Sequence, residues 1–541
     1  MAAADYDVLI RGGTLYDGLG GPPVVGDVAV SGDTIVAVGP ALPGRGRLEL
    51  DARGLAVAPG FINMLSWANE SLLHDGRSPS DIRQGVTLEV LGEGWSMGPL
   101  NDALRAELSG EQTDIRYEID WTTLGEYLDG LVRRGVSCNV ASFVGATTLR
   151  IHQLGHVNRP PTPAELARMC ALARQALEEG AVGVSSALIY APATFAETNE
   201  LVALAAVAAE YDALYASHIR NEGDGLLEAL EEFLTIAERA GCRAEVYHLK
   251  ASGRANWPKL PAALARLEAA RAAGRPVGAD IYPYHASSTG LDSVMPPWVQ
   301  EGGRKAWIAR LKDPAVRARV KQEMNTSTKD WDNGWLAAGS PENIILVGFR
   351  RAHLKPLAGR TLAQVAAQRG TSPEDTAIDL VIEDESNVGA AFFSMSEDNV
   401  RRAIRVPWIT FCSDAQSVAA EGVFLKRSPH PRTYGAFARL LGRYVRDEGL
   451  VPLEQAIHRL TALPAANLRI ARRGRLAAGY FADVVVFDPA TIADRATFDR
   501  PHEYAVGVRD VLVNGVPVLR EGEHTGARPG RVVRGPGYRG I

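Results

Sequence analysis

His218 in "YASHIRNEGD" and His248 in "VYHLKASG" each close a short apolar run, and each is followed by a polar turn. Asp414 closes another such run in "ITFCSDAQS", and Glu93 sits in the glycine-flanked turn of "VLGEGWSMGP". Neutral imidazole suits zinc, and a carboxylate completes a three-ligand set with one position open for water. An aspartate beside such a set can take a proton from that water and deliver it to a leaving amine. The chemistry indicated is metal-assisted hydrolysis. Each residue also has a plainer reading: a histidine at a strand end is often a hydrogen-bonded structural residue, and a glutamate between glycines can cap a helix or face water. Two histidines together with Asp414 favour the metal centre, and Glu93 is the weaker candidate.

Those residues need a scaffold that brings several strand ends to one place. β-Branched and aromatic runs recur at 60–63, 87–91, 139–144, 183–186, 214–218, 244–250, 278–283 and 408–414, separated by Ala/Leu/Glu/Arg segments at helical spacing. Eight strands alternating with helices predict a (β/α)8 TIM-like barrel over residues 59–472, with its active site at the C-terminal strand ends. The span 290–345 breaks the rhythm and is too long for a βα loop, so it reads as an inserted subdomain or lid. Both chain ends alternate with period two and carry Gly and Asn-Gly turns, which predicts one small β-sandwich built from 1–58 and 473–541.

Composition narrows the class. The 541 residues are 46% hydrophobic and 23% charged, the balance of an ordinary globular protein. A net charge of −6 argues against a nucleic-acid groove. No apolar run is long enough to span a bilayer, and "MAAADYDVLIRGG" lacks the basic flank and apolar core of a secretory signal. Cys138, Cys170, Cys242 and Cys412 are scattered, as expected of reduced thiols in a cytoplasmic protein. Cys412, beside Asp414, reads as a buried strand residue rather than a nucleophile. Abundant alanine and arginine suggest a GC-rich bacterial source.

From "LIRGGTLYDG" through "APGFI", "HIRNEG", "HLKASG", "SD" and "HPRTYG" to "LAAGYFADVVVFDP", the chain resembles the amidohydrolase superfamily. Within it, it is most similar to the N-acyl-D-amino-acid deacylases (D-aminoacylases), over essentially its whole length. The resemblance implies a barrel beside a β-sandwich, with an inserted subdomain over the site. It implies that His218 and His248 bind zinc and that Asp414 is the catalytic aspartate. Anchored on Ser96, it places Glu93 where the family often has a bridging cysteine, with one residue fewer before it, and a glutamate is equally anionic there. Lys250, Tyr282 or Tyr284, Ser288 and Arg432 match places that hold the substrate, with Arg432 clamping its carboxylate. Tyr190 is a pocket wall or, equally, a core aromatic.

One departure stands out. In "PGFINMLSWANESLL" the two places where the family carries histidines hold Leu65 and Trp67. In the family that pair mainly serves a second, weak metal position, so the resemblance implies a centre with one zinc ion per chain. The alternative is a repurposed site, in which Leu65 and Trp67 put apolar bulk at the barrel floor and reshape the pocket for a larger or hydrophobic acyl group. The expected reaction is hydrolysis of an N-acyl-D-amino acid, a small-molecule amide, with no nucleic acid or membrane partner. The alternatives are the same chemistry or acyl transfer on a D-residue dipeptide, cyclic amide or secondary-metabolite amide, and a catalytically retired binding scaffold.

Overall fold

The computed structural model describes residues 4–540. Eight parallel strands form the barrel. Phe61–Asn63 pairs with Val86–Leu91, which pairs with Asn139–Ser142. After a break at Phe143 the third strand resumes at Val144–Gly145 and pairs with Gly183–Ala187. Leu214–His218, Arg243–Val246, Val277–Ile281 and Ile409–Phe411 follow in order. The ring closes where Asp414 N donates to Leu65 O at 2.9 Å and Ser66 bridges Ala415. Every residue of these strands except Arg243 is buried, the pattern of a parallel sheet covered on both faces.

The sixth and eighth strands end earlier than their apolar runs suggest. His248 and Asp414 have φ of 35° and 47°, a left-handed backbone that cannot continue a parallel ladder. Such conformations cost a non-glycine residue of order 1–3 kcal/mol and persist only where neighbours impose them. Here the Asp280 carboxylate accepts from His248 N at 2.7 Å, and the Leu65 carbonyl accepts from Asp414 N. The chain turns inward at both places and aims the two side chains across the barrel mouth.

Helices between the strands start on capping boxes where the sequence offers them. Thr123 with Glu126 opens Leu124–Arg134, and Thr162 with Glu165 opens Pro163–Glu178. Both chain ends join one nine-stranded sheet, with Ala56–Pro59 antiparallel to Val484–Phe487 at the seam. Its core holds Val8, Ile10, Val28, Val30, Val484, Val486 and Leu512. Past Pro529 the chain leaves that sheet and runs along the base of the barrel, where Val533 N donates to Val140 O and Gly535 N to Gly180 O. Residues 1–3 and 541 of the spans assigned to the sandwich lie outside the described residues.

The insertion is larger than the sequence suggests. A three-stranded antiparallel sheet joins Ser287–Gly290, Gly389–Phe392 and Ile344–Gly348. Its hydrophobic core runs from Leu291 to Phe392, well past residue 345. The stretch after 345 is ordinary helix and strand in composition, so only the long-range pairing of Phe392 with Ser287 reveals where it belongs. Among the described residues no helix is long and apolar enough to cross a membrane.

Candidate metal centre and active site

A cavity of about 600 Å³ opens at the C-terminal strand ends, beneath the insertion. Every residue singled out from the sequence as ligand, base or substrate contact lines it, except Tyr284. Glu93, His218 and His248 bring their ligand atoms within 4.8 Å of one another, and all three side chains are buried. Glu93 Oε1 lies 3.1 Å from His218 Nδ1 and 2.9 Å from His248 Nε2. For metal bonds of about 2.0–2.1 Å the edge of a coordination tetrahedron is about 3.3 Å, so the set has the chemistry and spacing for a zinc ion.

Carboxylates and imidazoles offset the cost of one another's burial at that point. Burial and Lys250 both oppose a charged His248, yet the carboxylates of Glu93, Asp414 and Glu222 outweigh them and hold it up at about 10. Burial also opposes the charge on Glu93, but His248 and His218 keep its carboxyl well below the usual carboxylate range.

Glu222, in the same "HIRNEGD" turn as His218, is a residue that sequence reasoning passed over. Its Oε1 stands 3.2 Å from His248 Nδ1 and its Oε2 3.7 Å from His218 Nε2. Glu222 is thus close enough to His248 to orient a metal-binding imidazole, while His218 Nε2 is buried without a hydrogen-bond partner among the described residues. Lys250 Nζ reaches Glu222 Oε1 at 2.6 Å and His248 Nδ1 at 2.7 Å. Burial raises the cost of the Glu222 charge, and Lys250 with the histidines holds that carboxyl well below its ordinary value. Asp332, from the insertion, accepts from Glu222 N at 3.0 Å. Only its spacing of four residues from His218 could have signalled Glu222.

Asp414 faces the three donors with both oxygens engaged. Trp67 Nε1 lies 3.1 Å from Oδ1, and Arg432 Nη1 lies 2.8 Å from Oδ2. The Arg432 contact is ionic rather than an aligned hydrogen bond: neither Nη1 nor Nε of this buried guanidinium has an aligned acceptor among the described residues. Burial pushes the Asp414 carboxyl up from its ordinary value, against the pull of Arg432 and His248. Cys412 is buried, and burial drives its thiol well up, which leaves it no nucleophile.

The remaining candidates divide. Arg432 stacks over the Tyr282 ring at 4.4 Å, and its Nη2 donates to Ser288 O at 3.2 Å. Ser288 Oγ is spent on Ala390 O at 3.0 Å, so its carbonyl, not its hydroxyl, serves the site. Tyr190 packs edge-on to His218 with ring centroids 5.5 Å apart, and its hydroxyl meets Thr289 Oγ1 at 2.8 Å. Tyr284 is a correction. A tight turn, with Tyr284 N donating to Tyr282 O, sends it away from the cavity to pack against Arg439.

Leu65 and Trp67 also differ from expectation. Leu65 is wholly in the core and offers the site only its carbonyl. Trp67 brings a polar group, since Nε1 sits 3.0 Å from Glu93 Oε2 as well as 3.1 Å from Asp414 Oδ1. The expectation of purely apolar bulk misses the indole N–H, whose direction depends on a rotamer that no sequence spacing reveals.

Comparison with known proteins places this arrangement. Residues 48–519 match the amidohydrolase family. A D-aminoacylase of Alcaligenes xylosoxydans xylosoxydans is 36% identical over 535 residues, covering 98% of this chain and 97% of the relative. Among solved structures, N-acyl-D-glutamate deacylase from Bordetella bronchiseptica, complexed with zinc and a phosphonate mimic of the tetrahedral intermediate, superposes with a TM-score of 0.81 at 34% identity. That match covers 98% of this chain and 99% of the other. A D-aminoacylase structure concerned with its binuclear metal centre, with one-metal activation and second-metal attenuation, matches with a TM-score of 0.80 at 33% identity over 98% of this chain and all of the other. The chain thus belongs to the amidohydrolase family, in its D-aminoacylase and N-acyl-D-amino-acid deacylase branch.

Proposed function

We propose that this protein removes the acyl group from N-acyl-D-amino acids, using one zinc ion held by Glu93, His218 and His248. The observation that carries the reading is the convergence of those three donors on one point with Asp414 fixed opposite. Lewis acidity at that point, supplied by zinc when bound, polarises the scissile carbonyl and acidifies the attacking water. The Asp414 carboxylate accepts the proton of that water and returns it to the amide nitrogen as the C–N bond breaks. With Nη1 against Asp414, Arg432 Nε has no acceptor among the described residues, which leaves a guanidinium donor for a substrate carboxylate. Tyr282 stacks on that guanidinium and, with Ser288 O, holds its plane. Tyr190 walls the side of His218, and Lys250, in the cavity lining, holds Glu222 and His248.

The related proteins support the substrate class, since those named above act on N-acyl-D-amino acids. The reading is tested by elemental analysis of protein purified without added metal, beside a Glu93→Ala variant. About one zinc per chain, lost in the variant, is the expected result. No zinc in the wild type, or zinc retained at full occupancy by Glu93→Ala, removes Glu93 from the centre.

A further inference from the structure

We infer that Trp67 takes the part of a second cation: its indole N–H, set between Glu93 and Asp414, limits the centre to one metal ion and holds Asp414 in register. The inference rests on the metal-centre reading above and adds a residue to it.

The geometry is specific. Glu93 divides its two oxygens, Oε1 toward both histidines and Oε2 toward Trp67 Nε1 at 3.0 Å. The same nitrogen stands 3.1 Å from Asp414 Oδ1. Two carboxylates that converge on one nitrogen repel each other, and a proton, a cation or a shared donor can offset that repulsion. An indole N–H is a donor with no lone pair, so it supplies that charge complement without ligating a metal. A cation bound to Glu93 Oε2 and Asp414 Oδ1 at about 2.0–2.2 Å would occupy the space that Nε1 fills.

The backbone that carries the ring is fixed. Trp67 N donates to Ala415 O at 2.9 Å, next to Asp414, and Ser66 N donates to Val90 O at 2.8 Å. Ser66 Oγ donates to Glu89 Oε2 at 2.8 Å. The segment is thereby tied to the second and eighth barrel strands, on either side of the groups it bridges. Leu65, wholly in the core, adds no side-chain ligand. Because Arg432 faces the other oxygen of Asp414, the indole completes a two-sided grip on that carboxylate. Trp67 is in this sense a positioning residue, acting on the reaction through Asp414.

The test uses the full chain as wild type, Trp67→Phe and Trp67→His, each dialysed against rising zinc, with bound zinc measured by elemental analysis. Wild type is expected to level off at one equivalent per chain even in excess zinc. Trp67→Phe, which keeps an aromatic ring but loses the N–H between the two carboxylates, should bind zinc beyond one equivalent, more weakly than Trp67→His. The kcat of Trp67→Phe should fall about 10- to 100-fold, the equivalent of one hydrogen bond to a charged group, with KM nearly unchanged. Trp67→His should take up a second equivalent. A wild type that binds two, a Trp67→Phe or Trp67→His protein that still stops at one, or an unchanged kcat in Trp67→Phe overturns the inference. The wild-type plateau is readable even if a variant fails to fold. Wild-type protein that binds no zinc at all overturns the metal-centre reading instead, so the two failures are distinguishable.

Discussion

Arg432 Nη1 lies 2.8 Å from Asp414 Oδ2, and both side chains are buried at the barrel mouth. The guanidinium therefore does two things: it holds the Asp414 carboxylate in place and presents its remaining donors to the cavity. Replacing Arg432 by Lys keeps the charge but removes the fork and the stacking on Tyr282, so it is not a conservative change. Steady-state kinetics of Arg432→Lys should show KM for a carboxylate-bearing substrate raised at least about tenfold, with kcat reduced as well. A KM equal to wild type would take the substrate carboxylate away from this residue.

Asp414 itself should separate binding from turnover. Asp414→Asn keeps the shape and loses the proton acceptor. Its zinc content should match wild type while kcat falls by about 10²–10⁴. Retained turnover would show that another group moves the proton.

The buried pair Lys250–Glu222, at 2.6 Å, makes a stability prediction. Lys250→Met leaves the Glu222 carboxylate buried without its cation, a loss of about 3–5 kcal/mol for such pairs. Lys250→Met combined with Glu222→Gln removes both charges and should recover much of that loss. Denaturant unfolding of the two proteins, both stripped of metal, measures the difference. Equal stability would mean that the pair carries no net coupling.

A further prediction concerns pH and lies away from the metal donors. Glu245, on the inner face of the sixth strand, is pushed up to about 8 by burial and by the neighbouring Asp280. In an unfolded chain a glutamate titrates near about 4.3. Between those values the folded protein keeps a proton that the unfolded chain has lost, so stability falls as pH rises through this window. Glu245→Gln holds the same neutral shape at every pH. Melting temperatures measured from pH 5 to pH 8 should decline less in Glu245→Gln than in wild type, and parallel declines would contradict the assignment.

What could be read from the sequence follows from distance along the chain. His218, His248 and Asp414 each follow a strand run directly, and in a barrel the strand ends share one mouth, so topology alone brings them together. Glu93 was reachable for the same reason. Trp67 was not, because its contacts with Glu93 and Asp414 depend on where one indole points. Glu222 stood in a quoted turn, yet its worth comes from facing two imidazoles on different strands. Tyr282 and Tyr284 look equivalent in "IYPYHASS", and a single tight turn sends them to opposite sides. The end of the insertion was hidden because the strand that closes it, Gly389–Phe392, pairs with residues about a hundred positions earlier.

The most direct test of the account is the release of carboxylic acid from matched N-acyl-D- and N-acyl-L-amino acids by the zinc-loaded protein. The account predicts hydrolysis of the D series, with kcat/KM at least about 100-fold above the L series, roughly 2.7 kcal/mol of discrimination in the transition state. No hydrolysis of any N-acyl-D-amino acid, or a preference for the L series, would contradict it.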